Sequence, residues 1–256
     1  MGKIRHETPP GFREVRLKGK RITYAAGLGA KATHLRFMAQ ALVNTKNWGP
    51  GDPGVKVAEH LAKGHRYFLT TDLKSAFDHV TLEQLIKPLI YCGIDPVWLS
   101  PRQYFFHEMG YGGVIQGASP SSFLSEICWR FGGLDWAVFE YCEKLDFHYT
   151  RFADDLLISS PRHIGRRVIG KLREKVEANG FRLNEQKTKR VDVYTETLKV
   201  LGFSIRGQTM RANPRSFGRL HNVDTGDGAY EGLKGYIRRA QKLNRQARKQ
   251  RERRRG

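Results

Sequence analysis

Two adjacent aspartates constrain this chain more than any other feature of its sequence. Asp154 and Asp155 separate two short apolar runs, 146–152 and 156–160, that are typical of β-strands. We therefore predict a β-hairpin that carries both carboxylates at its tip. Neighbouring carboxylates repel each other and resist burial, so a cation should compensate them. Mg²⁺ suits this position, because it prefers carboxylate oxygens and keeps coordination positions open for phosphates.

A third aspartate, Asp72, ends a β-rich run far upstream, at 66–72. Two acidic sites on strands of a strongly basic chain favour two-metal phosphoryl transfer on a polyanion. Ordinary turn chemistry is the simpler explanation for the Asp154–Asp155 pair, since aspartate in turns bonds its own backbone. The order and spacing of further motifs must decide between the two interpretations.

The charge of the chain indicates a nucleic-acid partner. Its 256 residues include 45 Lys and Arg against 25 Asp and Glu, a net charge of +20. Residues 236–256 alone contain ten basic residues and one acid. A ribosomal or histone-like protein would share this feature, so charge names the partner and leaves the activity open.

Targeting and redox signals predict a reduced, cytoplasmic protein. No apolar run approaches the roughly 20 residues that a membrane span needs, and residues 1–5 do not form a signal peptide. Cys92, Cys128 and Cys142 are odd in number and have no Cys-x-x-Cys spacing. We therefore expect free core thiols and no membrane partner.

An ordered series of motifs resembles that of reverse transcriptases, over about residues 12–245. The closest resemblance is to bacterial retron-like and group II-intron-like enzymes, in a compact form. In chain order, the motifs resemble a basic fingers hairpin (18–24), a Gly-rich loop (48–54), the first palm motif (72–78), the Gln-Gly motif (114–125), the Phe-Ala-Asp-Asp signature (152–155), the motif after it (180–188) and the primer-grip turn (200–203).

The resemblance implies an α+β, right-hand polymerase fold with short fingers, a palm of antiparallel sheet plus helices, and a minimal helical thumb. The boundaries that it implies are a flexible N-terminal arm at 1–11, fingers at 12–64, a palm at 65–206, a thumb at 207–245 and a basic tail at 246–256. Part of the fingers is inserted in the palm at about 81–112.

Apolar patterning adds two expectations about helices. It predicts one buried palm helix over 121–143 and a final helix that begins near Tyr230. Beyond Arg245 apolar residues almost vanish, so we expect the tail to fray.

The resemblance also implies the ligands of two Mg²⁺ ions, for which Mn²⁺ could substitute. Asp72 and Asp154 would bridge the ions, and Asp155 would be the accessory carboxylate. The backbone carbonyl of Leu73 would be an extra ligand. Asp78 would be structural.

A nucleotide pocket is implied beside these ligands. Phe77 matches the steric gate that favours deoxynucleotides over ribonucleotides, which differ by the 2′-hydroxyl. Gln116 and Gly117 would line the pocket. Arg21, with Lys20 as second choice, would clamp the triphosphate, unless both are simply solvated hairpin charges. Lys187 would stabilise charge near the pyrophosphate, in a loop that Asn184 shapes.

Contacts with the primer and template are implied further along the chain. The primer-grip turn contains Leu201 and Gly202. The basic side chains between the apolar positions of the last helix would track phosphates; they are Arg238, Arg239, Lys242 and Arg245. Two departures from the family pattern, Ser122 and Glu126, would alter fidelity or substrate choice.

The implied activity is RNA-directed DNA polymerisation, with dNTPs added to a DNA or RNA primer on an RNA template. A cognate structured RNA is the expected template, and a homo-oligomer or an accessory protein could assist. Two alternatives stay open. One is a defence-type polymerase of the same fold that works without a template, and the other is an RNA-binding scaffold that no longer polymerises.

Overall fold

The computed structural model describes residues 6–17, 21–45, 51–213 and 228–254. The chain divides into two compact units, each assembled from separate stretches of sequence. Unit 1 comprises Met1–Gly49, Leu73–Ala137 and Arg173–Arg182, and unit 2 comprises Pro50–Asp72, Val138–Leu172 and Leu183–Gly256. The numbered boundaries of fingers, palm and thumb stay a prediction.

Unit 1 begins with the predicted antiparallel hairpin. Strands β1 (Phe12–Leu17) and β2 (Arg21–Ala26) pair along their whole length. Helix α1 (Leu28–Asn44) follows directly. Its Phe37 is buried and lies edge-to-face against Phe105, with ring centroids 5.4 Å apart. The unit also contains α3 (Leu82–Tyr91), which begins with a complete capping box at Thr81 and Gln84, and α4 (Ser121–Phe131).

A four-stranded antiparallel sheet forms the centre of unit 2. Its spatial order is β4 (His148–Phe152), β5 (Asp155–Ser160), β3 (Tyr67–Asp72) and β6 (Lys189–Asp192). Strand β3 is therefore central, and it pairs with β5 and β6. The pairing with β5 runs through Asp72, whereas the pairing with β6 stops at Thr70.

A second, three-stranded sheet completes unit 2. It consists of β7 (Leu198–Val200), β8 (Phe203–Arg206) and β9 (Thr209–Ala212), all antiparallel. Helices α2 (Pro53–Lys63) and α7 (Gly228–Arg253) pack on each other. Gly54 permits this contact, because a Cβ atom there would lie 3.0 Å from Leu243 and Phe203.

A buried histidine fastens α2 to the four-stranded sheet. His60 is fully buried, and its Nδ1 and Nε2 lie 2.7 Å from Ser159 Oγ and 2.9 Å from Thr150 Oγ1. Burial, with a smaller contribution from His148, lowers the pKa of His60 well below 6.5. His60 is therefore a structural residue that is neutral at pH 7.

Two helix predictions were wrong in their bounds. The single helix expected over 121–143 is interrupted at Gly132 and Gly133, and α5 (Leu134–Glu143) begins anew. Gly133 has φ +103, a conformation that ends a helix and favours glycine. The last helix does not end near Arg245: it continues through Arg253, because Ala247 is buried and the Arg251 guanidinium donates to the Leu61 carbonyl at 2.6 Å.

The N-terminal arm also differs from the prediction where it is described. Residues 1–5 lie outside the described part of the chain. From His6 onward the segment is held to unit 1, since the Tyr24 hydroxyl donates to the His6 carbonyl at 3.2 Å and Pro9 is buried.

The three cysteines are free and buried, as predicted. Within the described ranges, no helix combines the length and apolarity that crossing a bilayer would require.

Candidate active site

The Asp-Asp pair lies in a tight β-hairpin, as the sequence predicted. Strands β4 and β5 pair with Phe152 opposite Asp155, which leaves Ala153 and Asp154 as the turn. Ala153 has φ +50, a conformation uncommon for a residue with a side chain. The guanidinium of Arg151, itself buried, donates to the Ala153 carbonyl at 2.9 Å and braces this turn.

Asp72 is brought to the same end of the sheet by strand pairing. It stands directly opposite Asp155 in the antiparallel ladder between β3 and β5. Directly opposed residues on neighbouring strands have Cβ atoms about 5 Å apart. The structure therefore brings together all three aspartates that the sequence singled out, from positions more than 80 residues apart in the chain.

The loop that follows α6 (Arg166–Ala178) provides the countercharge. Lys187 Nζ lies 2.5 Å from Asp72 Oδ2, and the Asn184 side-chain amide reaches the same oxygen at 3.5 Å. The Asn184 backbone N–H donates to the Asp72 carbonyl at 2.8 Å. Asn184 thus attaches the loop to the end of β3 and sets Lys187 beside the carboxylates.

The carboxylates are electrostatically coupled. Burial and the nearby charges of Asp154 and Asp72 raise the pKa of Asp155 to about 6, with Lys187 opposing the shift. The hydrogen bond to Asp72, aided by all three carboxylates, raises the pKa of Lys187. Negative charge is therefore concentrated here, and a further cation would be bound favourably.

The residues fit a divalent metal ion. Asp72 is only 5% exposed, and its Oδ1 is buried without a hydrogen-bond partner. A buried carboxylate oxygen without a partner is costly, and metal coordination is one way to satisfy it. Within the described part of the chain, no three His, Cys, Asp or Glu side chains form a ready-made metal cage. Mg²⁺ is commonly held by one or two carboxylates together with substrate phosphates, so an open set of this kind fits it.

Except for Lys187, which belongs to unit 2, the residues predicted for the nucleotide pocket lie in unit 1. The Gln116 carbonyl accepts a hydrogen bond from the Tyr24 N–H on β2 at 2.9 Å. Gly117 has φ +100, and a Cβ atom there would lie 3.0 Å from the Tyr24 backbone. Gln116 and Gly117 are thus attached to the basic hairpin. Arg21 begins β2, and Lys20 lies outside the described residues.

Phe77 lies in a short 3₁₀ helix, Ala76–His79, that follows Leu73, itself buried. Its ring is half-buried and meets Trp129 edge-to-face at 6.2 Å. The backbone of Gly113 approaches the same turn so closely that a Cβ atom there would lie 2.3 Å from the Phe77 carbonyl oxygen. Phe77 is therefore held from two sides.

The predicted primer-grip residues form a two-residue hairpin turn in unit 2. Leu201 and Gly202 have φ +49 and +83, between Val200 and Phe203, which pair as the ends of β7 and β8. Two successive positive φ angles match the twist of a tight hairpin. A positive φ angle is unusual for leucine.

The basic residues predicted to contact nucleic acid lie on α7. Arg238, Lys242 and Arg245 are exposed on this helix. Arg239 forms an ion pair with Asp52, the N-cap residue of α2, so part of its charge is used within the protein.

Sequence reasoning missed three residues that support the site. Arg151 braces the Asp-Asp turn, as described above. Thr188 Oγ1 lies 2.7 Å from Thr71 Oγ1 on β3, and it donates to the Asn184 carbonyl at 2.8 Å. The position of Thr188 directly after the Asn-x-x-Lys segment can be seen in the sequence. Its contact with Thr71 on β3 cannot, because that contact depends on the order of the strands in the sheet.

Comparison with known proteins agrees with this geometry. The family model described as reverse transcriptase (RNA-dependent DNA polymerase) matches residues 28–205. The Gag-Pol polyprotein of bovine immunodeficiency virus (strain R29) is 25% identical over 168 residues, which are 65% of this chain and 10% of the polyprotein.

Solved telomerase structures from Candida tropicalis share the fold. The apo form, truncated from the C-terminal domain, has a TM-score of 0.53 at 11% identity, covering 80% of this chain and 55% of the telomerase. The form in complex with a TWJ fragment of telomeric RNA has a TM-score of 0.54 at 10% identity, covering 93% and 53%. The chain thus spans about half the length of these structures.

These matches show the predicted right-hand polymerase fold of the α+β class. Reverse transcriptases as a family use divalent metal ions, which agrees with the open carboxylate set at the end of β3. Because the family model covers more than half of its residues, this chain belongs to the reverse transcriptase family.

Proposed function

We propose that this chain is an RNA-directed DNA polymerase that adds dNTPs to a primer 3′-hydroxyl. The observation that carries the proposal is the pairing of Asp72 opposite Asp155, with Asp154 in the adjoining turn and one buried Asp72 oxygen unsatisfied. In the reaction the primer 3′-oxygen forms a bond to the α-phosphorus and gives its proton to solvent, and the bond between the α-phosphorus and the pyrophosphate oxygen breaks.

Each carboxylate has a role in this proposal. Asp72 and Asp154 would hold two Mg²⁺ ions, or Mn²⁺ as a substitute, with Asp155 as accessory ligand and the Leu73 carbonyl as an extra one. When bound there, the ions would supply a lowered pKa of the primer hydroxyl and neutralisation of the triphosphate charge. Lys187 stabilises negative charge on the leaving pyrophosphate, and its raised pKa keeps it protonated for this task.

The subtype and partners are also proposals. The ordered motifs and the basic α7 favour a compact bacterial enzyme, retron-like or group II-intron-like, whose template is a cognate structured RNA. One telomerase neighbour is in complex with a fragment of telomeric RNA, which is compatible with an RNA partner here. The net charge of +20 supports strong binding of a polyanion.

Primer extension on an RNA template with Mg²⁺ and dNTPs tests the activity. We expect extension by the wild type and at least a thousandfold less by Asp154→Asn with Asp155→Asn, about 4 kcal/mol of lost transition-state stabilisation. Asp146→Asn is a matched control, because Asp146 is exposed and its φ of +56 suits asparagine equally well. Equal extension by all three proteins would refute the site.

The same assay separates the alternatives. Extension that needs no added template would favour the template-independent polymerase. If no condition yields extension while RNA co-purifies without attached DNA, the chain is a scaffold.

Sugar selection tests the role of Phe77. Phe77→Ala should admit ribonucleotides, because the smaller side chain no longer excludes the 2′-hydroxyl. The ratio of kcat/KM for dNTP and rNTP should fall by at least about tenfold. An unchanged ratio would remove Phe77 as the gate.

A further inference from the structure

Helix α1 carries an apolar stripe on its exposed side. Leu28, Leu35 and Leu42 recur at intervals of seven residues and are 88%, 71% and 48% exposed. Ala32 and Ala39 lie between them and are exposed as well. We call these five residues the α1 seam. Their alternating spacing of four and three residues is the heptad pattern by which one α-helix packs on another.

Within the described part of the chain, the seam stays exposed and does not serve the fold of unit 1. The opposite side of α1 already packs into that unit through Ala30, His34, Phe37 and Ala41, all buried. His34 also lies 2.6 Å from the Tyr104 carbonyl through its Nε2. A helix that is apolar on all sides is normally buried on all sides. Helix α1 is apolar on two opposite sides and buried on only one of them.

The sizes of its side chains indicate what kind of surface packs on the α1 seam. Leucines at every seventh residue form knobs, and the alanines between them leave shallow holes that admit a leucine from a facing helix. A facing helix with the same repeat would fill these holes along three turns or more. A flat or irregular surface would not match this spacing.

The charges beside the α1 seam indicate which protein the facing helix belongs to. Lys31 and Arg36 are exposed and border the seam on its two sides, and the 17 residues of α1 contain no acid. A second copy of this chain would set the same cations against each other and would bring two chains of +20 together. An acidic partner helix would instead pair with Lys31 and Arg36 at the flanking positions that set partner choice.

We infer that the α1 seam is a docking surface for an amphipathic α-helix of another protein, with a leucine-rich seam and acidic flanks. This inference does not depend on the proposed polymerase activity. It predicts that a partner protein is held through unit 1 by helix pairing.

A synthetic peptide tests the inference. The probe is a labelled helix of three heptads, about 21 residues, with Leu at the seam positions and Glu at the flanks. A scrambled peptide of the same composition is the control for charge. In fluorescence anisotropy with the full chain, we expect the heptad peptide to bind at least about tenfold more tightly than the scrambled one.

Leu35→Lys separates the seam from general electrostatics. This variant adds a positive charge, so attraction to an acidic peptide should rise while the seam is interrupted. We expect affinity for the heptad peptide to fall at least about tenfold. Ile90→Lys, at an aliphatic residue of α3 that is 61% exposed, is the matched control and should leave affinity unchanged.

Three results would overturn the inference. The first is equal affinity of the wild type for the heptad and the scrambled peptide. The second is equal affinity of the wild type and Leu35→Lys for the heptad peptide, with unchanged melting temperature. The third is self-association of the wild type. Sedimentation equilibrium detects the last: a dimer of the wild type that Leu35→Lys abolishes would make a second copy the occupant.

Discussion

At the scale of single residues, Asp155 has the most distinctive electrostatics of the site. Its folded-state pKa of about 6 lies above the ordinary 3.8, so the folded protein favours the protonated acid. The contribution of Asp155 to the free energy of unfolding is therefore fully present below about pH 3.8, and it is lost as the pH rises through about 6. The carboxylate that would help hold a cation destabilises the protein in the absence of one.

Asp155→Asn should therefore stabilise the protein at pH 7. The Asp155 carboxyl is partly desolvated, but the residue as a whole is exposed, so solvent screens much of the effect and we expect a gain of about 1 kcal/mol in unfolding free energy. The gain should shrink towards pH 4, where the wild-type carboxyl is also protonated. Urea unfolding at both pH values without divalent ions measures this. A gain of equal size at both pH values would contradict the assigned cause.

Lys187 should matter for activity far more than for stability. It is 67% exposed while its partner Asp72 is buried. Lys187→Gln should lower kcat by about 10- to 100-fold, because a charge that stabilises the leaving group is lost. The change in unfolding free energy should stay within about 1 kcal/mol. Lys187→Arg, which keeps the charge, should recover part of the rate. If KM alone changed, Lys187 would be a binding residue only.

At the scale of elements, the sequence predicted what depends on local pattern. Asp72 at the end of β3 and the hairpin around Asp154 followed from apolar runs and from the conformations that aspartate tolerates. The break at Gly132 and Gly133 was missed because the flanking residues are equally apolar. Strand β9 was missed because four residues rarely show alternation, and its pairing with β8 is a tertiary contact.

The continuation of α7 beyond Arg245 was invisible for a similar reason. Its last three turns are almost entirely polar, so periodicity gives no signal there. They are helical because Ala247 is buried in the core of unit 2 and because Arg251 donates to a carbonyl near the end of α2. Such partners come from distant parts of the chain and cannot be inferred from the local sequence.

Two glycines in different elements should respond oppositely to alanine. Gly113→Ala would set a methyl group 2.3–2.4 Å from the carbonyl oxygens of Phe77 and Asp78, and backbone must move. We expect a loss of about 2 kcal/mol or more in stability, with weaker discrimination against ribonucleotides. Gly170→Ala, inside α6 with open space around it, should instead gain about 0.5–1 kcal/mol.

Thermal unfolding of the two variants under identical conditions measures these changes. The contrast controls for the chemical substitution, which is the same in both. If Gly113→Ala were as stable as the wild type and kept full sugar selectivity, the Gly113 loop would have no part in holding Phe77.

At the scale of the whole molecule, the net charge of +20 makes binding of nucleic acid sensitive to salt. Every phosphate that a Lys or Arg neutralises releases counterions, so the logarithm of affinity falls with the logarithm of salt concentration. Strong binding can come from the total charge of the chain or from particular Lys and Arg residues that contact phosphates. In the second case, the slope of log affinity against log salt concentration depends on those particular residues.

Removing three charges from α7 should distinguish these causes. Arg238, Lys242 and Arg245, all exposed on one helix, should each contribute about 0.7–0.9 to the slope if they contact phosphates. The triple change to Gln should therefore lower it by about 2–3. Arg167, Lys171 and Lys175, exposed on α6, provide a control with the same loss of net charge. Titrating an RNA–DNA duplex between about 50 and 300 mM salt, roughly a sixfold range, measures both slopes. A smaller slope for the α7 variant alone would identify α7 as the phosphate contact, whereas equal slopes for both variants would attribute binding to the charge of the whole chain.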